Sequence, residues 1–99
     1  MMENKVYITI LYDYYKELLT ERQKEYFENY YFNNLSLQEI ALNRGVSRNA
    51  IHKELKNIET KLNLYEEKLN LYKKDQKLLK LIEKIDNIEL KNEIKKEME

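Results

Sequence analysis

The sequence predicts an all-α fold: a helix-turn-helix bundle with an extended C-terminal helical segment. Three observations carry that prediction. The 99 residues contain no proline and a single glycine. No useful length alternates apolar and polar residues at the period of a strand. Two segments have the form of a capping box, Thr20-Glu21-Arg22-Gln23 and Ser36-Leu37-Gln38-Glu39, in which a hydroxyl and a side chain three residues on satisfy each other's backbone N–H groups at a helix start.

The first helix is expected over about Lys5 to Leu19. Val6, Ile10, Tyr14 and Leu18 form its apolar stripe, Tyr7, Leu11 and Tyr15 widen it, and Asp13, Lys16 and Glu17 face out. Its tyrosines suit either a stacking surface for RNA bases or a core with hydroxyls at the rim; their helical spacing favours the core. Thr20 caps a second helix running to about Asn33. Tyr26, Phe27, Tyr30 and Tyr31 lie at core spacing there, with Phe32 beside them.

Ser36 and Glu39 open a short third helix with Leu37, Ile40 and Ala41 on its apolar side. Gly45, the only glycine, stands where the helix must end in a left-handed residue. Val46 is expected to pack inward, and Ser47 to cap the next helix. That helix opens Arg48-Asn49-Ala50-Ile51-His52-Lys53, with Ala50, Ile51 and Leu55 toward the core. It then continues as a seam of Leu55, Ile58, Leu62, Tyr65, Leu69 and Tyr72, stepping by three and four residues. Glu66 and Glu67 are expected on the outer face. Asn70 is the expected break, with Leu71 making the hydrophobic contact beyond it. A fifth helix over about Tyr72 to Ile85 carries Leu78, Leu81, Ile82 and Ile85. After Asp86-Asn87 a last short segment carries Ile88, Leu90, Ile94 and Met98. The expected division is a helix-turn-helix domain over 1–71 and a C-terminal extension over 72–99, either part of the same compact unit or a dimerisation arm.

Composition bounds the function. Eighteen basic and eighteen acidic residues give zero formal charge, an unpromising sum for a binder of phosphates. The distribution is more telling. Residues 44–61 set Arg44, Arg48, Lys53, Lys56 and Lys61 against Glu54 and Glu59, so the positive excess falls on the start of the fourth helix. With no cysteine and one histidine, neither a thiolate nor a multi-histidine metal site fits. No apolar run approaches the roughly 20 residues of a membrane span. Glu3 and Asn4 precede a short segment broken by Asp13, which is no signal peptide. A cytoplasmic protein is expected, without membrane insertion. Enzymatic chemistry is not expected either. The carboxylate pairs fall on exposed faces, there is no glycine-rich phosphate loop, and helix capping accounts for Ser47 beside His52. No cofactor or small-molecule substrate is implied.

The stretch from Leu19 to Leu62 resembles region 4 of bacterial sigma factors: LTERQ opens a helix, YYF ends it, and SLQEIA, a glycine turn and VSR follow. With the aromatic YDYYKELLTERQ before it and EEKLNLY after it, roughly residues 5–80 are similar to the YlxM family, small bacterial helix-turn-helix proteins linked to the signal recognition particle. The resemblance implies a part in that pathway, through its RNA, its GTPase, or regulation of their expression. The promoter-melting and polymerase-binding regions of a sigma factor have no counterpart.

The site reading follows from the motif. A recognition helix over 48–57 presents Arg48, Asn49, His52 and Lys53 to base edges, with Ser47 at its start and Arg44 and Lys56 near phosphates. The ligand is DNA or structured RNA. The seam is expected either to fold back or to pair with a second copy, and a homodimer is the favoured outcome because helix-turn-helix proteins bind paired half-sites as dimers. The competing function is a non-catalytic interaction module working through the C-terminal helices.

Overall fold

The computed structural model describes residues 4–99 and contains helices joined by short turns. They are α1 (Lys5–Tyr15), α2 (Glu21–Tyr31), α3 (Leu37–Arg44), α4 (Arg48–Leu69), α5 (Leu71–Ile82) and α6 (Ile88–Glu97), with one 3-10 turn over Lys16–Leu18. Among the described residues there is no strand.

Local chemistry sets most boundaries. Both capping boxes form: Thr20 with Gln23 and Ser36 with Glu39 each exchange two hydrogen bonds. Asn70 takes the left-handed conformation at φ 56° and ends α4, and Asn34, also at φ 56°, turns the chain between α2 and α3. Asn87 accepts from the Leu90 N–H and starts α6.

The core centres on α4, against which α1, α2 and α3 all pack. Ile51, Leu55, Ile58 and Leu62 of α4 meet Ile8, Leu11, Tyr12 and Tyr15 of α1, Tyr26 and Phe27 of α2, and Leu37, Ile40 and Ala41 of α3. Tyr12 and Phe27 stack with ring centroids 4.2 Å apart, and the Tyr12 hydroxyl donates to Glu28. The burial of Tyr12, Tyr15 and Tyr26 makes these rings packing material, unavailable to stack on bases.

The first helix is shorter than expected and rotated. Its buried face is Ile8, Leu11, Tyr12 and Tyr15, while Val6 is 71% exposed. The helix tightens after Tyr15, which throws Leu18 outward and turns Leu19 in. The seam of α4 splits. Leu55, Ile58 and Leu62 lie in the chain's own core, Tyr65 and Tyr72 pack at its edge, and Leu69 is exposed.

Glu66 is the largest correction. It is buried on the inner face of α4 rather than exposed. Asn70 offers α5 no side-chain cap, so the first amides of α5 need another acceptor. The Glu66 carboxylate supplies it, accepting from the Tyr72 N–H at 3.1 Å and the Lys73 N–H at 3.1 Å. The Tyr15 hydroxyl donates to the same carboxylate at 2.5 Å and accepts from the Leu71 N–H at 3.0 Å. Leu71, expected as an apolar contact, is thus placed by its backbone and leaves its side chain exposed. One carboxylate on α4 and one phenol on α1 together fix where α5 begins. Farther along, the Tyr14 hydroxyl donates to Asp75 at 2.5 Å, and Tyr7 and Tyr14 both meet the Tyr72 ring edge-on.

Beyond that clamp the packing thins. α5 ends at Ile82, and only Ile82 of its expected stripe is buried, with Ile85 half-buried and Leu78 and Leu81 exposed. Ile88 and Leu90 of α6 are also exposed. The molecule measures 56 × 25 × 23 Å with a radius of gyration of 17.2 Å, against about 13 Å for a compact chain of this length.

Candidate nucleic-acid interface

The turn between α3 and α4 follows from three residues. Gly45 adopts φ 68°, and its N–H and that of Val46 close on the carbonyls of Leu42 and Ala41. Ser47 then accepts from the Ala50 N–H and starts α4. The turn packs α3 against α4, whose first two turns bury Ile51 and Leu55 and leave their other side exposed.

Which side chains those turns present is a matter of phase. Ile51, Leu55, Ile58 and Leu62 define the buried side. At 3.6 residues per turn, the opposite side carries Asn49, Lys53 and Lys56, four and three residues apart. All three are exposed, as are Ser47 and Arg48. Arg48 and His52 lie on one flank of this stripe, with His52 half-buried. Ala50, expected in the core, is exposed, because it stands one residue and about 100° round the helix from Ile51. Val46, expected inward, is 44% exposed. Ile51 and Ile40 fill the space between the two helices, and Val46 and Ala50 instead line a shallow groove of about 180 Å³ with Arg22, Tyr26 and Glu54.

Arg44 departs from its expected role. Its guanidinium is ion-paired with Glu25 of α2 and lies over the Tyr26 ring, 5.2 Å from the centroid. It fastens the end of α3 to α2. Its partner Glu25 is an exposed carboxylate of α2. By contrast, no ion pair between described residues involves Arg48, Lys53 or Lys56. The exposed stripe therefore keeps its positive charge and hydrogen-bonding groups available.

No group of three or more His, Cys, Asp or Glu among the described residues is arranged to hold a metal ion. No helix among them is long and apolar enough to cross a membrane.

Comparison with known proteins agrees with this architecture. Residues 2–99 match a family model described as "Putative helix-turn-helix protein, YlxM / p13 like". The UPF0122 protein of Caldanaerobacter subterraneus is 45% identical over 85 residues, covering 86% of this chain and 73% of that protein. The UPF0122 protein of Oceanobacillus iheyensis is 44% identical over 85 residues, covering 86% of this chain and 81% of that protein. The match to the UPF0122 protein of Malacoplasma penetrans is 47% identical over 58 residues and spans about half of each chain, 59% and 54%. With a helix-turn-helix present in the structure and residues 2–99 of the chain matching the family model, the chain belongs to the UPF0122 family of YlxM / p13-like helix-turn-helix proteins.

Proposed function

We propose that this protein is a non-catalytic, cytoplasmic regulator that binds DNA or structured RNA through residues 48–57 and works in the signal recognition particle pathway. One observation carries the nucleic-acid reading. A capped helix-turn-helix holds Arg48, Asn49, Lys53 and Lys56 exposed at the start of α4, and none of the three cations is ion-paired with a described residue. Arginine matches guanine and asparagine matches adenine in two-bond geometries, while lysines neutralise phosphates. Ser47 lies beside them, and the half-buried His52 reaches the surface on one flank. The link to protein targeting rests on the YlxM resemblance, and the particle's RNA or its GTPase is the partner it suggests.

The test is an anisotropy titration of random duplex DNA and of a signal-recognition-particle RNA hairpin, at low and moderate salt, with Arg48→Ala in parallel. The expected result is salt-sensitive binding that Arg48→Ala weakens by about 1–3 kcal/mol on a specific site. Unchanged affinity and specificity in the variant would remove Arg48 from the interface, and no binding to either ligand would remove the regulatory reading.

A second reading is supported by the exposed apolar residues Leu78, Leu81, Ile88 and Leu90 of α5 and α6. They suit pairing with a second copy, which would make the protein a homodimer and its C-terminal extension an interaction module. Light scattering at micromolar concentration decides it: a molar mass of two chains is expected, and one of a single chain would sink it.

A further inference from the structure

Helix α5 bears a second charged surface that the helix-turn-helix does not use. Lys73, Lys77 and Lys80 are four and three residues apart and share one face, and Lys84 in the following turn continues the row. All four are exposed, and none joins an ion pair with a described residue. The row lies opposite the side of α5 that meets α1. Tyr72 and Asp75 face α1, where Asp75 accepts from the Tyr14 hydroxyl.

Within α5, Lys73 and Lys77 are like charges four residues apart and repel, while Lys80 in the last turn suits the helix C-terminus. The same stretch has only two carboxylates to relieve them, and both are engaged elsewhere. Asp75 is held by Tyr14. Glu83 is bridged by Lys91 and Lys95 of α6, whose hydrogen bonds hold its carboxyl below the usual range. A run of like charges with no carboxylate partner among the described residues is the kind of local conflict expected at a functional surface. In a chain of zero net charge, with Arg44 spent on Glu25, this row is a concentration of free cations beyond the recognition helix.

We propose that Lys73, Lys77, Lys80 and Lys84 form a second contact surface for a nucleic-acid phosphodiester backbone, independent of base readout at 48–57. The proposal rests on the nucleic-acid reading given above and adds to it the surface that supplies sequence-independent affinity. Duplex DNA and folded RNA present the same phosphodiester chemistry, so both serve as probes.

The experiment measures binding of the full chain to a duplex of about 24 base pairs, long enough at about 3.4 Å per pair to cover the 56 Å protein. A hairpin RNA is titrated alongside, each from about 50 to 200 mM salt. The stripe variant replaces Lys73, Lys77, Lys80 and Lys84 by Gln. A control variant replaces Lys5, Lys16, Lys68 and Lys96 by Gln, removing the same charge from exposed positions elsewhere. The stripe variant is expected to bind at least about tenfold more weakly at low salt. Its slope of log affinity against log salt should be shallower by up to about 3.6 on duplex DNA, since each of the four phosphate contacts adds about 0.9. Substituting Arg at the same four positions should keep the wild-type slope. Loss on one probe alone identifies DNA or RNA as the ligand. A stripe slope equal to wild type, or a loss matched by the control variant, overturns the proposal while leaving the helix-turn-helix reading standing. If the wild-type chain binds neither probe, both fall together.

Discussion

Residues 20–62 and residues 71–98 are both amphipathic helix, yet only the first stretch buries its apolar side. In the helix-turn-helix, each helix is started by a hydroxyl cap, and the apolar stripe of α4 meets α1, α2 and α3. In α5 and α6 the stripes are as regular, but Leu81 remains 59% and Ile88 70% exposed. The difference shows that amphipathicity states a need for a partner and does not say whether the partner lies in the same chain. Between the two regions stands the Glu66–Tyr15 clamp, a polar device that fixes the direction of α5 where apolar packing gives out.

The comparison is tested most severely by truncating one leucine in each region. Leu62→Ala, at a position with 0% exposure, is expected to cost about 2–5 kcal/mol in urea unfolding. Leu81→Ala is expected to stay within about 0.5 kcal/mol. A comparable loss in a dilute sample of the second variant would show that α5 is buried in solution and would erase the contrast.

Glu66→Ala tests the clamp. It leaves the Tyr72 and Lys73 N–H groups and the Tyr15 hydroxyl short of an acceptor, and is expected to cost about 1–3 kcal/mol. The exposed neighbour Glu67→Ala should be close to neutral. Equal behaviour of the two variants would assign Glu66 no structural part.

Gly45→Ala isolates backbone conformation. An added Cβ at Gly45 meets nothing within 4 Å, so the penalty comes from φ 68° alone. About 1–2 kcal/mol is expected from the left-handed conformation, read as a lowered urea midpoint with an unchanged slope.

The smallest effect at neutral pH is the tyrosine contribution. Burial first, and then the hydrogen bond to Glu66, push the Tyr15 hydroxyl up to about 12 from 10.0. Burial and carboxylate partners likewise raise Tyr12 and Tyr14. The fold favours the neutral phenol, so its stabilisation is complete below pH 10 and is lost as pH rises through 12. Urea midpoints should be level from neutral pH to about 10 and fall beyond it. Tyr15→Phe should flatten part of that fall, and an unaltered alkaline limb would separate Tyr15 from it.

How much of this was legible in the sequence depends on how far apart the interacting residues lie. Caps and turns were readable at Thr20, Ser36, Gly45, Ser47 and Asn70, because each acts on backbone groups within a few residues. The ion pair of Arg44 was not legible because Glu25 is nineteen residues away and reaches it only once α2 and α3 cross. Glu66 gave a signal that went unread: it follows Leu62 by four residues, on the buried stripe of α4. A carboxylate at such a position needs donors, and its donors exist only when Asn70 turns left-handed and Tyr15, fifty-one residues distant, arrives. The lysine row on α5 was visible as spacing, but its lack of partners was not.

The sequence by itself determined the caps at Thr20, Ser36 and Ser47, the turns at Gly45 and Asn70, and that a helix-turn-helix is present, since capping, left-handed turns and apolar periodicity act over one or two helical turns. Tertiary structure decided the phase of α1, the burial of Glu66, the capture of Arg44 and the exposure of α5 and α6. Those depend on which faces meet across the bundle, and no local preference encodes such a meeting.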